Sequence, residues 1–210
     1  MTPLVIVLAI GGAVWGLAAD RIAARWPAHE DGSRRPLGWR TVVTILVGCI
    51  AMGMLAARVT MPANLLLFGA WFAILVLLLS TDLDQRLLPD VLTLPLIQIA
   101  AVLLILGLNP LVRGDEVLAV AVAIVIPLVL FLISIPFGAG ALGLGDVKLL
   151  VSVGLIEGFT RTIYGLFVGM LLAGVILVAL LATRRITLKT YVPFGPFLII
   201  GAIWGVVGHF

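Results

Sequence analysis

Only ten acidic residues occur in this 210-residue chain, and two of them, Asp82 and Asp146, stand where a carboxylate can do more than meet solvent. Asp82 closes the stretch Leu-Leu-Leu-Ser-Thr-Asp. It lies at or just inside the end of an apolar run, where a buried charge is costly and usually functional. Read alone, it fits an ordinary interfacial acid equally well. Asp146 sits in Gly-Ala-Gly-Ala-Leu-Gly-Leu-Gly-Asp-Val-Lys, residues 138–148. Gly143 and Gly145 remove side chains on either side of Leu144, so the chain can bend and another backbone can approach. Asp146 then opens a helix, where it could simply cap free N–H groups. Glycine-rich backbone at membrane depth, however, is tolerated only where it is buried in protein or lines a water-filled cavity. Two carboxylates held face to face cannot both ionise easily, so such a pair shares a proton near neutral pH. The ionised member takes a proton from water while the protonated member polarises a carbonyl, without a covalent intermediate or a metal. Helix dipoles favour the anion at a helix N-terminus, at Asp146, and disfavour it near a C-terminus, at Asp82.

The other acids have plainer expectations. Asp90 follows Pro89 and suits a helix N-cap. Asp84 is expected to face water or headgroups. Asp20, Glu30 and Asp31 near the first basic stretch, and Asp115, Glu116 and Glu157 near loops on the other side, are expected to be solvated. His29 lies in a charged loop and His209 beside the chain end, so neither is expected to be a ligand. Cys49 stands alone in an apolar run, expected to be a small lipid- or helix-facing residue, and a lone thiol builds neither a disulfide nor a four-cysteine zinc site. No metal site is expected.

The elements that must position these acids are membrane helices. Hydrophobic residues make up 63% of the chain and charged residues 11%, against roughly 25% charged in soluble domains, and the mean hydropathy is +1.30. A soluble core could not hide this much apolar surface, so lipid serves as the solvent. Apolar runs at 3–22, 41–57, 63–81, 90–108, 116–137, 146–157, 162–182 and 192–208 predict an all-α polytopic membrane protein of about eight helices, most near the ~20 residues that cross a bilayer. The run 146–157 is short and reads as a half-span or as a helix starting inside the membrane. Pro127, Pro136, Pro193 and Pro196 are expected to kink or cap helices, and Trp26 and Trp39 to anchor the interface.

Charge follows the first apolar run, at Arg21, Arg25, Arg34 and Arg35, which predicts a retained first helix with its N-terminus outside rather than a cleaved signal peptide. With that orientation the inner loops hold Arg21, Arg25, Arg34, Arg35, Arg40, Arg86, Lys148, Arg184, Arg185 and Lys189. The outer loops hold Arg58, Arg113 and Arg161. A split of ten to three follows the positive-inside rule and puts both acid-bearing segments, 82–90 and 138–148, on the cytoplasmic side. The net charge of +3 therefore reports orientation; nucleic acid is not expected as a partner. Residues 1–210 are expected to form one integral membrane domain, since the longest polar stretch, 24–40, is too short to fold alone.

These residues resemble type IV prepilin peptidases, a family of GxGD aspartic proteases. Asp82-Leu-Asp-Gln-Arg-Leu-Leu-Pro-Asp90-Val-Leu-Thr is similar to the family's first active-site motif. Gly143-Leu-Gly-Asp-Val-Lys148 is similar to its second, and Tyr191-Val-Pro-Phe-Gly-Pro-Phe197 to the segment leading into its last helix. Arg25-Trp-Pro27 is a weaker match to an Arg-Leu-Pro after the first helix. The resemblance implies that Asp82 and Asp146 are catalytic. It implies supporting places for Gly143, Gly145, Lys148, Asp84, Pro89, Asp90, Pro193, Gly195 and Pro196. Lys148 is two positions from Asp146, so on a regular helix the two side chains do not face each other; snorkelling to headgroups or pairing with Asp82 or Asp84 is expected.

The resemblance further implies a multi-pass protein of the bacterial inner membrane with its active site facing the cytoplasm. Its substrate would be the helix of a prepilin or pseudopilin, whose basic leader is cut after a glycine, without a cofactor. Bifunctional relatives also N-methylate the new N-terminus with S-adenosylmethionine and carry a longer, cysteine-paired insertion after the first helix. Here 24–40 is short, basic and free of cysteine, which leaves methyl transfer open. Three readings compete, one of them a structural membrane subunit with interfacial acids. A presenilin-like or signal-peptide-peptidase-like GxGD protease fits neither the small size nor the Pro89-Asp90 spacing. A small transporter using Asp82 and Asp146 as an ion or proton site fits the glycine-rich break but leaves three motifs unexplained.

Overall fold

The computed structural model describes residues 3–28, 35–137, 142–185, 187 and 192–208. Among them are seven α-helices and no strand: α1 (Pro3–Ala23), α2 (Trp39–Arg58), α3 (Pro62–Gln85), α4 (Asp90–Ile105), α5 (Glu116–Ser134), α6 (Leu144–Ala182) and α7 (Gly195–Val207), with one 3₁₀ turn at Ile135–Phe137. Five of them, α1, α2, α3, α5 and α6, are long and apolar enough to cross a membrane. Large apolar side chains point outward along them, among them Val7, Ile10 and Val14 on α1 and Val117, Ile124 and Leu128 on α5. Such a surface is stable in hydrocarbon, where helices satisfy their own backbone groups. The chain is an all-helical, polytopic membrane protein.

The helices form two compact units, 1–99 with 207–210, and 100–206. In the first, α1 and α2 pack backbone to backbone. A Cβ on Gly12 would lie 2.1 Å from the Gly48 carbonyl oxygen, and one on Gly16 would lie 2.3 Å from that of Thr44. Small residues one turn apart permit this approach where no hydrophobic force drives helices together. The Trp15 indole N–H donates to the Ala73 carbonyl of α3 at 2.8 Å, and Phe68, Phe72, Leu75, Leu78 and Leu79 of α3 fill the core. Trp26 and Trp39 are exposed, as interfacial anchors would be.

In the second unit, a Cβ on Gly154 of α6 would meet Ala123 of α5 at 2.6 Å, and those on Gly165 and Gly169 would meet the Gly201 and Phe197 carbonyls of α7 at 2.6 and 2.5 Å. The sixth and seventh apolar runs, expected as separate segments, are joined in α6 and divided by a single non-helical residue, Gly158 (φ 68°, ψ −167°). The Asn109 side-chain amide donates to the carbonyls of Leu155 and Ile156 at 3.3 and 2.8 Å, satisfying groups that the break leaves open. The part 144–157 is about 20 Å long at 1.5 Å per residue, too short for a hydrocarbon core of ~30 Å.

Glu157, expected to be solvated, is buried. It packs on Gly205, where an added Cβ would come within 2.2 Å of Glu157 Oε2. Its charge neighbour is Arg161, whose guanidinium donates to the Val206 carbonyl at 3.2 Å. Sequence placed both residues beside a loop, whereas the helix resumes at once after Gly158 and leaves Glu157 buried and Arg161 half-buried.

Gly158→Ala should lower stability by about 2 kcal/mol, because its positive φ strains an L-residue and the new methyl would sit 2.8 Å from Val112 Cγ1. Unfolding of the purified protein in detergent measures this; an unchanged midpoint would show that the break does not need glycine.

Candidate active site

Asp82 is positioned by α3, which runs past the expected end at 81 to Gln85, so residues 82–85 are the last helical turn rather than a loop. The helix stops at Arg86, in the left-handed conformation (φ 55°), whose N–H donates to the Asp82 carbonyl at 2.9 Å. Ser80, Thr81 and Asp82 are all buried, Asp82 at 4% exposure. A polar triplet at the end of a leucine run is thus held inside the protein, as a functional carboxylate at membrane depth would be.

Asp146 is positioned by the start of α6. It is 7% exposed, and its Oδ2 accepts the Gly143 N–H at 3.1 Å, the reach-back half of a capping box. Gly143 is extended (φ −70°, ψ 149°). What requires glycine there is space, since a Cβ would stand 3.3 Å from Asp146 Oδ2. Gly145 and Lys148 are half-buried in the first turns of α6. Asp82 belongs to the first compact unit and Asp146 to the second.

Asp84 does not face water. Its side chain is 2% exposed, with Arg35 Nε 2.7 Å and Arg40 Nη1 2.9 Å from Oδ1. Asp20 is not solvated either: it is fully buried and accepts from Arg21, Arg35 and the Thr41 hydroxyl, the last at 2.8 Å. Both expectations failed for a related reason: apart from Arg21, the neighbour of Asp20, the partners come from the polar stretch and the start of α2. The Gln85 side chain adds a bond of 2.6 Å to the Pro27 carbonyl. Sequence reasoning missed this cluster; its signal was an acid at the end of the first helix, inside the arginine-rich stretch that follows.

Asp90, expected as an N-cap, is the first residue of α4 and exposed. The cap position falls to Pro89, which is buried and whose carbonyl accepts the N–H groups of Leu92 and Thr93 at 2.9 and 3.0 Å. The Asp90 charge still sits at the positive end of the helix dipole. Pro193 precedes α7, and Gly195 and Pro196 lie in its first turn, where the Phe194 carbonyl accepts from Phe197 and Leu198. A proline costs nothing there because its missing N–H has no helical partner. Asp115 is exposed and Glu116 half-buried. His29, Glu30, Asp31, Arg34, residues 138–141, Lys189, Tyr191 and His209 lie outside the described residues.

Residues 66–178, which include both aspartates, match the type IV leader peptidase family. The chain is similar to a prepilin leader peptidase/N-methyltransferase of Aeromonas salmonicida (31% identical over 208 residues). It is also similar to those of Aeromonas hydrophila (30% over 208) and Pseudomonas aeruginosa (30% over 207). Each match covers 97% of this chain and 66% of the relative, so the chain spans just under two thirds of their length. No solved structure matches.

Proposed function

Because this chain belongs to the type IV leader peptidase family, we propose that it is an intramembrane aspartic endopeptidase that removes the basic leader of prepilins or prepilin-like pseudopilins after a glycine. Residues 1–210 act as one peptidase domain in the bacterial inner membrane, N-terminus outside, with the reaction at the cytoplasmic face. The observation that carries the reading is a pair of buried carboxylates inside the family-matched region, Asp82 in the last turn of α3 and Asp146 in the first turn of α6.

In the reaction both carboxyl groups act on the scissile peptide. Asp146, whose Oδ2 is held by the Gly143 N–H, takes a proton from the attacking water. Asp82, at a helix C-terminus where a negative charge is disfavoured, keeps its proton and donates a hydrogen bond to the peptide carbonyl oxygen. The tetrahedral intermediate then collapses with proton return to the leaving amine. Gly143 and Gly145 leave room for the substrate backbone. Asp84, Pro89, Asp90, Lys148, Pro193, Gly195 and Pro196 are supporting residues for the reaction. Proteolysis uses no cofactor; S-adenosylmethionine enters only if the chain also methylates, as its relatives' names state for them.

Co-expression with a prepilin, followed by mass spectrometry of the pilin N-terminus, tests the reading. The expected product begins directly after the glycine that ends the leader, and a further 14 Da would reveal methylation (about one CH₂ group). Uncut prepilin in the presence of inserted protein would refute the peptidase assignment.

A further inference from the structure

We propose that Arg35 is a positioning residue for Asp82, acting through Asp84; this rests on the peptidase reading. Arg35 spans two buried carboxylates on different helices. It donates to Asp20 at the end of α1, and its Nε stands 2.7 Å from Asp84 in the last turn of α3. Arg40 in the first turn of α2 grips the same Asp84 oxygen at 2.9 Å, and Thr41 beside it donates to Asp20 at 2.8 Å. The Arg35 guanidinium, its side chain 13% exposed, thereby ties the ends of α1 and α3, and Arg40 and Thr41 add the start of α2 to the same two carboxylates.

The geometry of α3 turns this tie into an aim. Successive helical residues are rotated by about 100°, so Asp82 and Asp84 project about 200° apart. Holding Asp84 against Arg35 and Arg40 sets the rotation of the last turn and directs Asp82 to the opposite flank. That turn is the last of the helix, whose final carbonyls lack helical partners and which closes on Arg86 in a left-handed conformation. One planar guanidinium donates to Asp20 and forms an ion pair with Asp84, a two-sided contact that a lysine ammonium, a single point charge, does not reproduce. The short stretch 24–40 thus contributes to the reaction without touching substrate.

The test uses the full chain in liposomes with a purified prepilin, comparing wild type, Arg35→Lys and Arg35→Met. Misplacing a catalytic group by about 1 Å costs up to about 100-fold. Arg35→Met should therefore lower kcat by about 30-fold with KM within about twofold, and Arg35→Lys should recover only part of the loss. In a cycle with Asp84→Asn, the double variant should be no worse than the worse single variant. Wild-type kcat per folded molecule in both Arg35 variants, whether or not their yield falls, would overturn the proposal, as would additive losses in the cycle. Failure of the wild type to cut would instead remove the peptidase reading itself.

Discussion

Asp82→Asn and Asp146→Asn should each slow leader removal by at least about 10³-fold, the scale on which enzymes lose rate when one member of a cooperating acid–base pair is removed. The amide keeps the size and most of the polarity of the carboxyl group, so both variants should insert and fold. In Asp146→Asn the amide oxygen can still accept the Gly143 N–H, because the bond runs from backbone to side chain at 3.1 Å. What is lost is the capacity to take up a proton. In Asp82→Asn the side chain still donates a hydrogen bond but cannot share or return a proton. Cleavage of a co-expressed prepilin, followed by the mobility shift of the processed pilin, reads both variants. Processing at the wild-type rate by either one would dissolve the dyad, and a transport assay in sealed vesicles would then become the pertinent measurement.

Gly48→Leu should cost about 3 kcal/mol or more, near or beyond the upper end of ordinary overpacking. The Cβ alone would fall 2.3 Å from the Gly12 carbonyl oxygen, and the reciprocal contact from Gly12 is 2.1 Å. Both obstacles are backbone, so the only relief is to separate α1 from α2. That separation would also pull apart Asp20, Arg35 and Thr41, which depend on the same pair of helices. Gly11→Ala on the neighbouring face of α1, where nothing lies within 4 Å, should leave stability unchanged or raise it by up to about 1 kcal/mol. Unfolding in detergent micelles separates the two; equal midpoints would mean that α1 and α2 do not depend on their glycine contact.

The fold class was legible because apolar runs of bilayer length have no alternative in a chain with so few charges. Helix ends were less so. Residues 82–85 read as loop because they are polar, yet a helix can carry polar residues through its last turn when their partners are at hand, as Arg35 and Arg40 are for Asp84. The break in α6 was visible only as a gap in hydropathy between 157 and 162; that one glycine suffices follows from its φ of 68°, which composition does not disclose. The misplacement of Asp20 and Glu157 shares this origin. Sequence proximity to a loop was taken as proximity to water, while tertiary partners decided otherwise. Asp82 and Asp146 were singled out by motif and context, and both are buried.

The break at Gly158 also makes a lever. Asp146 stands twelve residues before it, an arm of about 18 Å along the helix at 1.5 Å per residue. A tilt of about 5° at the break would swing the Asp146 end through about 1.6 Å, three times the ~0.5 Å within which a catalytic group must be held. Asn109, whose amide holds the carbonyls of Leu155 and Ile156 beside the fulcrum, therefore governs the far end of the arm. Small repacking around Asn109 would be magnified where the Asp146 carboxylate sits.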